Sequence, residues 1–145
     1  MDIGAGNGYV TIPLLQRGCL VSALDSEEAM ISDLISRVPA GLESGLVTIV
    51  AKAPPLPLKD GTVDAVLMVN TLHEIDDLVS LVKEISRALV SKGRVHIVEH
   101  RKDHDEDGPP KDDRLGPEDV AEIFVGFKVE SKEIRGVFHH TCLSL

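Results

Sequence analysis

The residues best placed to do chemistry open the chain: Asp2-Ile3-Gly4-Ala5-Gly6-Asn7-Gly8. Glycines at alternating positions let a backbone turn tightly and approach a ligand where a Cβ would collide. A dinucleotide loop needs the spacing G-x-G-x-x-G. Here the third glycine comes one residue early and Tyr9 occupies the dinucleotide position, which argues against NAD or FAD. No phosphate-cradling G-x-x-x-x-G-K-[ST] run occurs either. Asp25 follows at the end of an apolar stretch, Leu20–Leu24. In doubly wound sheets an acidic side chain at that place accepts the two hydroxyls of a ribose. A nucleoside ligand without a pyrophosphate fits this pairing, while an ordinary helix N-cap is the plainer role for Asp25.

Four further side chains could move protons: His73 and Glu74 after one apolar run, Glu99 and His100 after another. Ligands of open α/β sheets bind at the carboxyl ends of strands, where these residues fall. His73 and Glu74 are the catalytic candidates, against a surface or packing role. His100, His104 and the neighbouring aspartates invite a metal, but a His pair at i, i+4 shares one ion only on a helix. D-H-D-E-D-G-P-P is a poor helix, so no metal is expected. His139 and His140 lie in a strand-like run and point to opposite faces. Cys19 and Cys142 read as small buried residues.

Elements that could hold these groups alternate along the chain. Ile31, Leu34, Ile35 and Val38 form one helical face, and Asp25 and Glu28 have capping-box spacing. Pro39 and Gly41 end that helix. Val47–Ala51 reads as a strand, A-P-P-L-P-L-K-D-G as a loop, and Val63–Val69 as a strand covered on both faces. Leu78, Leu81, Val82, Ile85 and Leu89 make the next helical stripe, closed by Gly93, and Arg94–Glu99 is again a strand. Pro117 opens a short helix. Phe127–Ile134 and Val137–Leu143 are separated only by Arg135-Gly136, too short a link for a parallel crossover. The expected fold is therefore α/β, a Rossmann-like doubly wound mixed sheet, mostly parallel with a C-terminal antiparallel hairpin. Residues 1–3 are only the end of a first strand, so its leading part is missing. A mis-chosen start codon and a truly short chain both account for that.

Composition narrows the function classes. The chain has 145 residues, 43% hydrophobic and 27% charged, one globular domain's worth over residues 1–145. Fifteen basic against 24 acidic residues give a net charge of −9, which opposes nucleic-acid binding. Nine acidic and four basic side chains crowd residues 99–119, a solvated loop or, alternatively, an acidic rim that selects cationic substrates. No run reaches the ~20 apolar residues of a membrane span. The first residues lack a secretory signal and two cysteines cannot build a disulfide scaffold, so a reducing cytoplasm is expected.

D-I-G-A-G-N-G followed by A-L-D-S-E-E-A-M-I resembles the first two motifs of class I S-adenosylmethionine-dependent methyltransferases. L-P-L-K-D-G-T-V-D-A-V-L-M-V-N-T-L-H-E-I, G-F-K-V and the final hairpin are similar to the ubiquinone/menaquinone methyltransferase-like small-molecule group. The resemblance runs over essentially the whole chain. It implies S-adenosyl-L-methionine as cofactor, held at its methionine end by Asp2, Gly4, Ala5, Gly6, Asn7 and Gly8. By the same resemblance Asp25 would take the ribose hydroxyls, and Ser26 and Met30 would lie near the adenine. Ala53 would offer a backbone N–H to the adenine, and Asn70 and Leu72 would border the methionine end and the substrate. The implied reaction is methyl transfer to a small-molecule acceptor. Apart from the resemblance, the truncated first strand would leave apolar surface for a second copy of the chain to cover, which makes a homodimer a candidate. Two departures stand out. Lys52, which has no acceptor capacity, replaces the family's frequent Asp before Ala53. The family's leading helices are also missing, which leaves a cofactor-binding module without catalysis as the alternative.

Overall fold

The computed structural model describes residues 1–104 and 108–145; residues 105–107, part of the acidic stretch, lie outside the described residues. The chain divides into two compact units, Met1–Ala53 and Pro54–Leu145.

The first unit runs β1 (Asp2–Ile3), α1 (Thr11–Gln16), β2 (Val21–Asp25), α2 (Glu28–Arg37) and β3 (Leu46–Val50). Its strands are all parallel in the order β3-β2-β1, with Asp2 opposite Ala23 and Leu24 opposite Ile49. Parallel pairing demands a crossover between successive strands, and α1 and α2 supply it. The apolar face of α2 sets Ile31 and Leu34 against Ala5 and Ala23, with Ile12, Val38 and Leu46 around them. The expected capping box does not form. The α2 N-cap is Glu27, and the Asp25 carboxylate is engaged by backbone N–H groups of Glu27 and Gly6 instead. Cys19 is exposed rather than buried, because it falls on the turn between α1 and β2; Cys142 is buried as expected.

The second unit contains β4 (Val63–Val69), a 3-10 turn (Leu72–Glu74), α3 (Leu78–Ala88), β5 (Leu89–His100), α4 (Pro117–Ile123), β6 (Lys128–Arg135) and β7 (Phe138–Ser144). The order is β4-β5-β7-β6. β4 and β5 are parallel, whereas β7 runs antiparallel to both β5 and β6, as the short link near Gly136 requires. Asp77 caps α3 through Ser80 N–H at 2.9 Å. Gly93 does not terminate α3 as expected. The strand already begins at Leu89, paired with Val63, and absorbs the extra residues in an irregularity between Val63 and Ala65. From Gly93 onward the buried positions of β5 are Gly93, Val95, Ile97 and Glu99, a period of two that places a carboxylate on an apolar face.

Leu81 and Ile85 on α3 are fully buried. Leu81→Ala is expected to lower stability by about 2–5 kcal/mol, the lost transfer energy plus the cavity left behind. Urea unfolding would show an earlier midpoint with an unchanged slope.

Candidate functional site

The glycine loop of the first unit is closed by backbone bonds and one carboxylate. Gly4 and Ala5 both donate to Leu24 O, at 2.8 and 3.0 Å, and Gly8 donates to Ala5 O at 3.0 Å. Gly6 donates to Asp25 Oδ2 at 2.8 Å, while Glu27 N–H reaches Asp25 Oδ1 at 2.9 Å. Each carboxylate oxygen thus spends one acceptor position on the backbone and keeps another for a ligand. The two later glycines do different work. A Cβ at Gly6 (φ 52°) would meet nothing within 4 Å, so the glycine leaves open space. A Cβ at Gly8 (φ 93°) would collide with Leu34 Cδ1, so that glycine lets the loop lie against α2.

Asp2 is buried, and its Oδ2 accepts from Thr11 Oγ1 at 2.7 Å. Burial pushes its carboxyl above the ordinary range, outweighing the Thr11 hydroxyl and the N-terminal ammonium; the negative charge of Asp25 pushes the same way as burial. Two carboxylates that sense each other beside an open glycine turn suit a ligand carrying both positive charge and hydroxyls. Asn7 and Ala53 are half-buried, Ser26 and Lys52 are exposed, and Met30 is 44% exposed. Thr11, as the donor to Asp2, was not visible in the sequence motif.

The second unit gathers its groups around Glu99, whose side chain is fully buried at the carboxyl end of β5. Glu99 Oε1 accepts from the backbone N–H of Thr71 at 3.1 Å and of Leu72 at 2.8 Å. Its Oε2 lies 2.7 Å from His73 Nδ1. Glu74 is exposed, with Oε1 4.0 Å from His73 Nε2. Sequence reasoning placed Glu99 beside His100 as a base; the signal it passed over is that Glu99 shares the buried period of Val95 and Ile97. Leu72 is fully buried. Asn70 adopts a left-handed backbone (φ 52°), donates to Val98 O at 2.8 Å, and has a buried side-chain Oδ1 with no hydrogen-bond partner among the described residues.

His100 stands against Phe138, ring centroids 4.5 Å apart. Burial first, and then the Arg114 cation, hold its imidazole below the usual range. His139 and His140 point to opposite faces as expected: His139 Nε2 donates to Leu115 O at 2.6 Å, while His140 Nε2 meets His96 Nδ1 at 3.1 Å. The metal alternative around His100 and His104 drew on residues 105–107, outside the described residues. Of the acidic stretch, Asp103 pairs with Arg101, Asp119 with Lys102 and Glu118 with Lys132.

Alternating strands and helices, with a glycine turn after the first strand and an aspartate at the end of the second, define an α/β protein of Rossmann type. Residues 1–97 match the methyltransferase domain family described as Methyltransf_11, and the chain belongs to that family. It is 33% identical over 103 residues to an uncharacterized methyltransferase of Mycobacterium tuberculosis (strain ATCC 25618 / H37Rv), covering 71% of this chain and 40% of that protein. A demethylmenaquinone methyltransferase of Corynebacterium glutamicum (strain R) is 27% identical over 99 residues, covering 68% of this chain and 40% of that protein. The chain therefore spans about two fifths of the length of these curated relatives. The crystal structure of a SAM dependent methyltransferase from Aquifex aeolicus superposes with a TM-score of 0.89 at 22% identity, covering 99% of this chain and 79% of that one. The fold is thus the Rossmann-like mixed α/β fold of such proteins.

Gly6→Ala and Gly8→Ala are expected to separate binding from folding. The first places a Cβ in open space at a left-handed position, costing about 1–2 kcal/mol, but blocks the loop to a ligand. The second forces α2 away and lowers the unfolding midpoint further. Calorimetry with and without ligand reads both effects.

The raised Asp2 carboxyl has a definite consequence for pH. Folding favours the protonated acid, so the contribution of Asp2 is most favourable below its unfolded value and is lost as pH rises through the folded one. Asp2→Asn, which keeps an acceptor for Thr11, should therefore gain unfolding midpoint relative to wild type as pH rises from 4 toward neutrality. A difference that stays flat with pH would contradict it.

Proposed function

We propose that the chain is one methyltransferase domain that binds S-adenosyl-L-methionine and transfers its methyl group to a small-molecule acceptor. The observation that carries this reading is the Asp25 carboxylate clasping the glycine loop at Gly6, within a chain of the methyltransferase domain family. The family match spans the first unit and continues into the second as far as residue 97, which supports treating residues 1–145 as a single functional domain.

The residues present fit the cofactor. Asp25 retains acceptor capacity for two ribose hydroxyls, and the open side of Gly6 leaves room for a ligand. Asp2, Gly4, Ala5, Asn7 and Gly8 would hold the methionine end, where buried negative charge matches a ligand cation. The unpartnered Oδ1 of Asn70 offers an acceptor to a donor, and Asn70 and Leu72 complete the binding set by the family pattern. Ser26, Met30 and Ala53 would border the adenine. When bound, the cofactor supplies a methyl group on a sulfonium, open to in-line displacement, a step that depends chiefly on positioning. His73 is the candidate base and Glu74 its neighbour at the same turn.

A small-molecule acceptor is supported by the Corynebacterium glutamicum relative, whose name makes demethylmenaquinone its substrate. The net charge of −9 disfavours nucleic acid. Among the described residues no helix is long and apolar enough to cross a membrane. A cytoplasmic setting belongs to the same proposal, on the strength of two unpaired cysteines. A second copy of the chain stays a candidate partner at the exposed apolar residues Val47 and Val50 of β3.

Thermal unfolding with S-adenosylmethionine, S-adenosylhomocysteine and NAD added separately tests the cofactor. A ligand at a hundred times its dissociation constant stabilises by ~2.7 kcal/mol, a midpoint rise of roughly 5–10 °C at this size. The rise is expected with both adenosyl ligands and not with NAD. No rise with any of them overturns the proposal.

A further inference from the structure

Glu99 is held from two sides. One oxygen is fixed by two main-chain donors, Thr71 and Leu72 N–H, and only the other faces His73. A carboxylate has no hydrogen to give, so the short 2.7 Å contact needs the hydrogen on His73 Nδ1. Nε2 is then the nitrogen with a free lone pair. The same bonds pin the 3-10 turn that carries His73, so the imidazole has both its tautomer and its placement set by one side chain.

We infer that Glu99 is a positioning residue that fixes His73 as the Nδ1–H tautomer and so makes Nε2 the base for the acceptor. This inference rests on the methyltransferase reading above. It also narrows the acceptor class. A base is needed only where the attacking atom must lose a proton, as a hydroxyl or an enol does and a thioether does not. In that step the acceptor's proton passes to Nε2 while its electron pair takes up the methyl group. The carbon–sulfur bonding pair stays on sulfur, and the positive charge reappears on the imidazole, facing Glu99. Carboxylates act in this way on histidine in acyl-transfer triads, where the amide replacement leaves the geometry but gives the wrong tautomer.

The asymmetry of the three bonds makes Glu99→Gln diagnostic. The two main-chain donors select the amide oxygen for the Oε1 position, so the NH2 group falls where Oε2 was. That group donates to Nδ1 and drives the hydrogen to Nε2. Two of the three bonds keep their direction and the third reverses, so the fold is expected to persist. Long-range 1H–15N correlation spectra of the full chain, with His73 assigned through a His73→Gln variant, read the tautomer directly. The expected result is Nδ1–H in the wild type and inversion to Nε2–H in E99Q. A wild-type Nε2–H tautomer, as a protonated Glu99 would give, overturns the inference, and so does an unchanged tautomer in E99Q. The thermal shift with S-adenosylhomocysteine is expected to match in both proteins, because the amide oxygen of E99Q keeps the bond from the main chain of Leu72, the proposed cofactor neighbour that Glu99 holds. If that ligand shifts neither protein, the methyltransferase reading fails, while the tautomer experiment still decides the role of Glu99.

Discussion

A carboxylate at the end of a parallel strand, collecting backbone N–H groups from turns beside it, is the interaction on which both units depend. In the first unit Asp25 ends β2 and binds Gly6 N–H in the loop that follows β1. In the second, Glu99 near the end of β5 binds Thr71 and Leu72 N–H in the turn that follows β4. The strands are parallel neighbours in each case, β1 with β2 and β4 with β5, so their carboxyl ends lie at the same edge. A turn leaving a strand exposes main-chain donors that need partners. A charged acceptor satisfies them with stronger bonds than a neutral one would. The arrangement also costs less than an unpaired buried charge, because each carboxylate is met by at least two donors.

Much of this was legible from the sequence. Val63–Val69 was placed to the residue, since an apolar run bounded by Asp-Gly and Asn-Thr admits little else. The C-terminal hairpin followed from the length of its link, because geometry forbids a parallel return over two residues. Two errors share one cause. The Asp25–Glu28 spacing read as a capping box, and Gly93 as a helix stop, because both rules look only at neighbours along the chain. The competing partners, Gly6 N–H for Asp25 and Val63 for the start of β5, come from elsewhere in the sequence. Glu99 shows the same limit. Its burial could be read from the alternation of β5, but the donors that make burial tolerable belong to a turn 27 residues and more away.

Each unit also carries a local feature that weakens its fold. Asn70 combines a left-handed backbone with a buried oxygen that lacks a partner among the described residues. A non-glycine residue in that region costs about 1 kcal/mol or more, and an unmade buried hydrogen bond adds to it. Asp2 is held in a setting that disfavours its charged form. None of these helps the fold on its own. Local rules are expected to be broken where a position serves something other than stability.

That contrast separates the two buried acids. Asp2 accepts from the neutral Thr11 hydroxyl and feels the N-terminal ammonium, yet burial still disfavours its charged form. Glu99 has two backbone donors and an imidazole, so its charge is already balanced by the protein. A satisfied carboxylate gains little from direct ligand contact but holds its partner in one state. The two buried acids thus differ in kind: burial outweighs the partners of one, while the other has two main-chain donors and an imidazole against its oxygens.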